Sequence, residues 1–248
     1  DKNNYLLQQT TKLNKLKKDL DSIEINKQYY RTGISIKNPK YKKKLSDDTY
    51  LLKDFKTSLN KLSSLNYKTI CDSLIVKFKA KKHLYPLVIE TIFEYALIHH
   101  NYNKYYCYLL SLFHDNFKDI SIINKQIDIV YSNLQVQESN NNSEYAKLCS
   151  NNKLTDKLIG YCMFLYELDI SNIIKDRIEP LIDTLINRIR TNLSEDESYK
   201  CIMCLHTICK KMYGKDPIPD KYLSDIEELK KTKYMKVKFK LMDIIERS

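Results

Sequence analysis

Between Phe55 and Leu110 the apolar residues recur every three or four positions in short bursts, and no burst outlasts a few helical turns. Phe55, Leu59 and Leu62 form one burst, and Ile70, Leu74 and Phe78 form the next. After a break at Pro86 come Ile89, Ile92, Phe93, Ala96 and Leu97. Side chains three and four apart share one face of an α-helix, so each burst predicts a short amphipathic helix with one stripe to bury. A short helix cannot bury that stripe alone. The pattern therefore demands successive helices packed on one another, and the rest of the chain repeats it.

The spacing predicts helices at 50–62, 65–79, 86–99, 102–115 and 120–137, and again at 154–168, 171–191, 195–213, 219–232 and 233–247. Ser46-Asp47-Asp48 offers capping groups for the first of these. Ser194 with Glu195, Asp196 and Glu197 starts another, its carboxylates facing the positive end of the dipole. Gly214 and Pro217 stop the helix before them. The polar run Gln137 to Asn152 reads as a loop. Ten helices over residues 50–248 give roughly 40 residues per pair, the period of HEAT arrays. Such pairs stack into an all-α solenoid of about five antiparallel helix pairs.

Two segments precede the array. In residues 1–28, Leu6, Leu13, Leu16, Leu20 and Ile23 keep helical spacing, with Lys12, Lys15, Lys17 and Lys18 on another face. This leader is a cap that packs back on the array or a docking helix for a partner. Residues 29–48 hold Gly33, Pro39 and the run Lys40, Lys42, Lys43 and Lys44, and read as a basic linker. The organisation is thus a leader and linker at 1–48 and an array at 49–248. The chain opens on Asp1 rather than Met, which reads as a piece of a longer protein.

Composition removes several function classes. The three glycines, Gly33, Gly160 and Gly214, are far apart, so no glycine-rich phosphate loop can be assembled from them. No HExxH surrounds His83, His99, His100, His114 or His206, and no Ser or Cys has a nucleophile-elbow context. We expect no catalytic residue and no cofactor. Cys201, Cys204, His206 and Cys209 contain a C-x-x-C, but on one helix they spread around the circumference and cannot converge tetrahedrally. They read as core thiols, with no metal. No signal peptide or membrane-length apolar run occurs, and a cytoplasmic protein with reduced thiols is expected.

The net charge of +11 favours anionic partners. Two lysine groups stand out as candidate RNA contacts. One is Lys40, Lys42, Lys43 and Lys44. The other is Lys233, Lys236 and Lys240, which share a face of the last helix opposite Val237, Leu241 and Ile244. A merely solvated lysine face is the competing reading. Tyr102, Tyr105, Tyr106 and Tyr108 fall around a helix and read as packing residues rather than a base-stacking platform.

Leu59-Asn60-Lys61-Leu62-Ser63 followed by Tyr67 resembles the LNKLT-x-x-x-F signature of the middle domain of translation initiation factor 4G. Ile92-Phe93-Glu94-x-Ala96-Leu97 and Asn101-Tyr102-x-x-x-Tyr106 resemble that family's IFEKAL and NF-x-x-x-YA motifs, in the same order. Lys157-Leu158-Ile159-Gly160 resembles its KFIG. Departures are Ser64 where the family has Pro, Tyr67 for Phe and Cys107 for Ala. The resemblance implies a HEAT-repeat scaffold without catalytic activity that docks and stimulates a DEAD-box RNA helicase of the initiation factor 4A type. It ties Leu59, Asn60, Lys61, Leu62 and Tyr67 to helicase binding. The competing reading of Leu59, Leu62 and Tyr67 is simple core. The family also recruits a cap-binding protein upstream through a Tyr-x-x-x-x-Leu-apolar motif. None of Tyr5, Tyr29, Tyr30 and Tyr41 has Leu five residues on, so attachment through the leader by another route, or through residues before it, stays open. Two alternatives stand beside this reading. One is a related scaffold of nuclear cap-binding, splicing or mRNA decay. The other is a basic RNA-binding solenoid without a helicase partner.

Overall fold

The computed structural model describes residues 11–12, 14–18, 47–135, 144–191, 194–214 and 216–246, and among them every element of regular structure is helical, with no strand. The elements run α1 (residues 11–12 and 14–18), α2 (Asp47–Leu59), α3 (Tyr67–Phe78), α4 (Tyr85–Ile98), α5 (Asn103–Phe117), α6 (Ile120–Gln135), α7 (Glu144–Ile170), α8 (Ile178–Arg190), α9 (Glu195–Tyr213), α10 (Asp220–Leu229) and α11 (Met235–Ile245). The chain divides into two compact units, Asp1–Thr91 and Ile92–Ser248, with the division inside α4.

In the first unit, α2 and α3 close on each other through Phe55 and Phe78, whose rings meet edge to face at 5.4 Å. Leu52, Leu59, Leu62, Cys71 and Leu74 are buried with them. Ile70, expected on that stripe, is only half-buried, and Cys71 beside it takes the core position. Leu16 of α1 is 6% exposed, and Lys17 forms an ion pair with Glu90 of α4. A buried leucine and an ion pair on the body of its own unit favour the cap over the docking helix. Leu13 and Leu20 lie outside the described residues, as does the linker with Lys40, Lys42, Lys43 and Lys44.

A polar staple fixes the end of this unit. Asp48, in the first turn of α2, accepts from Lys81 Nζ at Oδ1 and meets His83 Nε2 at Oδ2, each at 2.8 Å. Burial alone would raise the Asp48 pKa. The hydrogen bonds and charges of Lys81 and His83 outweigh it and hold the carboxyl below its ordinary value of 3.8. A carboxylate with a depressed pKa contributes stability above its unfolded-state pKa, and that contribution is lost as pH falls through the folded-state value. Asp48→Asn is therefore expected to destabilise this unit by about 1–2 kcal/mol at neutral pH and by progressively less below pH 3.8. Equal losses at neutral and at acid pH, measured by denaturant unfolding, would contradict this.

In the second unit, α9 packs on α7, α8 and α11, α5 packs on α7, and α10 packs on α8 and α11. These contacts each join a helix to the next or the next but one. Ile178, Leu181, Ile182, Leu185, Ile186 and Ile189 give α8 an unbroken buried stripe. Ser194 caps α9 by accepting from Glu197 N, and Gly214, at φ +57°, ends it. Cys201, Cys204 and Cys209 lie in the core, where burial raises the thiol pKa to about 11 at Cys201 and about 12 at Cys209.

Two elements depart most from the sequence expectation. The predicted loop Gln137 to Asn152 is helical from Glu144 onward, so α7 begins ten residues before the expected start at 154. Asn151 and Asn152 suggest a break, but they sit on the helix surface, where Asn151 Nδ2 donates to Asp196 Oδ2 at 3.2 Å. The helix predicted at 171–191 starts only at Ile178. Asn172 and Asp176 adopt positive φ, and the amides of Ile173 and Ile174 turn back to Leu168 O at 3.0 and 3.4 Å. That closure ends α7 while burying Ile173 and Ile174, so both keep the apolar signal without being helical.

Candidate docking corner and basic terminal helix

The segment Leu59 to Tyr67 is a tight corner between α2 and α3. The expected first helix runs to 62, whereas α2 ends at Leu59. Leu62 N still reaches Leu59 O at 3.3 Å, so the chain turns without extending. Asn66 then clamps the bend: its Oδ1 accepts from Ser63 N at 2.8 Å and its Nδ2 donates to Lys61 O at 2.9 Å. Tyr67 N and Asn66 N both reach back to Ser63 O, at 3.1 and 3.3 Å. An asparagine side chain standing in for backbone partners in this way makes a short turn rigid.

The clamp sorts the candidate residues by face. Leu59 and Leu62 are 2% and 4% exposed and belong to the core of the first unit. Asn60 and Lys61 are exposed, and Tyr67 is half-buried. Leu65 stands 96% exposed at the apex, with Lys61 and Lys68 exposed on either side in sequence. Leu65 is absent from the residues that the sequence singles out. Its spacing of three from Leu62 mimics a continuation of the buried stripe, and only the polar Ser63-Ser64 pair between them signals that the chain turns it outward.

The lysines of the terminal helix are also sorted. Lys233 lies before α11, not on it, with Nζ 5.1 Å from the Tyr234 ring centroid. Lys240 is half-buried and paired with Asp243 at 2.8 Å. Lys236 is exposed. The three therefore do not form one free outward row. Val237, Leu241 and Ile244 are buried as expected. On the other side Met235 and Phe239, four residues apart, are 56% and 59% exposed.

No family model, no curated protein and no solved structure matches the chain. Among the described residues, no group of three or more His, Cys, Asp or Glu side chains is placed to hold a metal ion, and no helix is long and apolar enough to cross a membrane.

Proposed function

We propose that the chain is a scaffold without catalytic activity, with helices stacked as a HEAT-type array, that docks a DEAD-box RNA helicase of the initiation factor 4A type and serves translation initiation in the cytoplasm. The observation that carries this reading is the Asn66-clamped corner, which displays Leu65, Asn60 and Lys61 on a rigid frame whose own leucines are buried. An exposed apolar side chain on a pre-organised turn loses little backbone entropy when it is covered, which favours its use as an anchor. The motif resemblance at the same residues supplies the class of partner. Docking two helicase lobes at fixed relative orientation would raise turnover by favouring the closed helicase, with no chemistry on this chain. RNA is the secondary, weaker partner, attracted by the lysine surplus.

The test is titration of a purified helicase of this type with the chain. Saturable binding with raised ATP turnover by the helicase is the expected result. Absence of binding, with RNA binding intact, would instead favour the solenoid that binds RNA alone.

A further inference from the structure

The outward face of α11 is neither a plain solvated lysine face nor a plain apolar one. Phe239 and Met235 occupy positions two residues out of phase with the buried stripe of Val237, Leu241 and Ile244, so they point away from the core. Exposed large apolar side chains of this size on a packed helix ask for a partner when they adjoin one another. The charge around them is one-sided. From Lys230 to Asp243 the sequence holds six lysines and one carboxylate.

The carboxylates of the neighbouring helix do not neutralise these lysines. Asp225 and Glu228 of α10 are both held by Arg190, at 2.7 and 3.1 Å, and Glu227 is held by Lys230 at 2.8 Å. Among the described residues, Lys231, Lys233 and Lys236 have no carboxylate within ion-pair distance. The first turn of α11 carries no acidic residue either. The face thus combines an exposed aromatic ring with cations left over after local pairing. A polyanion whose units also carry flat π surfaces matches both features at once. A duplex matches only the charge, because its bases are stacked inside.

We infer that the outer face of α11, where Phe239, Met235 and Lys236 are exposed, binds single-stranded RNA, with a base stacked on Phe239 and phosphates held by Lys236 and by Lys231 and Lys233 of the segment that leads into the helix. This rests on the RNA-binding part of the proposed function and adds the site and the strandedness. Stacking on an exposed ring is tolerant of base identity, so the binding is sequence-independent.

The experiment is fluorescence anisotropy with a labelled oligouridine, a duplex of matched length and anionic phosphatidylserine vesicles, using the whole chain. The expected preference for the single strand over the duplex is about tenfold, and Phe239→Leu, which keeps apolar bulk and removes the π face, cancels most of it. Phe239→Tyr restores it. Lys233→Ala with Lys236→Ala weakens strand and duplex alike and lowers the slope of log affinity against log salt by about one for each phosphate no longer neutralised. None of these measurements involves a helicase: loss of helicase binding with the strand preference intact sinks only the docking reading, and loss of the strand preference with helicase binding intact sinks only this one. Equal affinity for strand and duplex, an unchanged Phe239→Leu, or binding to vesicles in place of oligouridine would each overturn the inference.

Discussion

Gly160→Val is expected to destabilise the unit Ile92–Ser248 by about 3–4 kcal/mol, near the upper end for overpacking. Gly160 sits inside α7, where glycine costs about 1 kcal/mol relative to alanine. The cost is explained by what lies opposite. A Cβ at this position would stand 2.3 Å from Leu97 O, 2.8 Å from Leu97 C and 2.9 Å from Leu97 Cα. All three are backbone atoms of α4, so no side-chain rotation relieves the clash and the helices must separate.

Separation is resisted on several sides. Phe93 and Phe164 meet edge to face at 5.0 Å between the same two helices. Asn103 is buried between the helices, and the amide orientation that satisfies its neighbours donates to Ala96 O at 3.1 Å and accepts from Phe164 N at 3.2 Å. Further along α7, Cys107 Sγ donates to Glu167 O at 3.2 Å. Gly160→Ala should lose less, because the helix regains about 1 kcal/mol of propensity. Denaturant unfolding of the two variants checks the order. Parent-like stability in both would show that α4 and α7 do not approach this closely.

Leu59→Ala is the second large effect, an expected destabilisation of about 3 kcal/mol confined to the first unit. Leu59 is almost wholly buried beside Phe55, Leu62 and Phe78, and truncation leaves a cavity among side chains already tied by the Phe55–Phe78 pair. A fall in partner affinity for this variant would therefore follow unfolding and could not locate an interface. Near-parent stability with lost affinity would mean that Leu59 faces a partner, contrary to its burial.

Much of the helical plan is legible in the sequence because each helix carries its own stripe and punctuation. Ser194 and Gly214 bracket α9 as expected, and the burial of Val237, Leu241 and Ile244 follows from their spacing. What fails to show is where local polarity and tertiary role disagree. Asn151 and Asn152 look like a loop yet ride a helix surface. Ile173 and Ile174 look helical yet are buried by a turn, because an αL residue at Asn172 is a conformational choice that hydrophobic periodicity does not encode.

The candidate site is legible as a segment but not as a face. The motif resemblance picks out Leu59, Leu62 and Tyr67, which lie at the corner between α2 and α3, yet a motif cannot say which side of the corner is wet. That is decided by Asn66, whose side-chain clamp turns Leu65 out while Leu59 and Leu62 stay in. At α11, Lys233, Lys236 and Lys240 read as equivalent, but the ion pair of Lys240 with Asp243 and the position of Lys233 before the helix separate them.

The most direct measurement of the docking claim is helicase affinity alongside melting temperature for Lys61→Glu, Leu65→Ala and the pair combined. Both side chains are exposed, so the melting temperature should stay at the parent value. The account predicts that Leu65→Ala weakens binding by ~1–3 kcal/mol, with a further reduction from Lys61→Glu. Full affinity in the double variant, for a helicase that binds the parent chain, would contradict the assignment of the corner as the docking site.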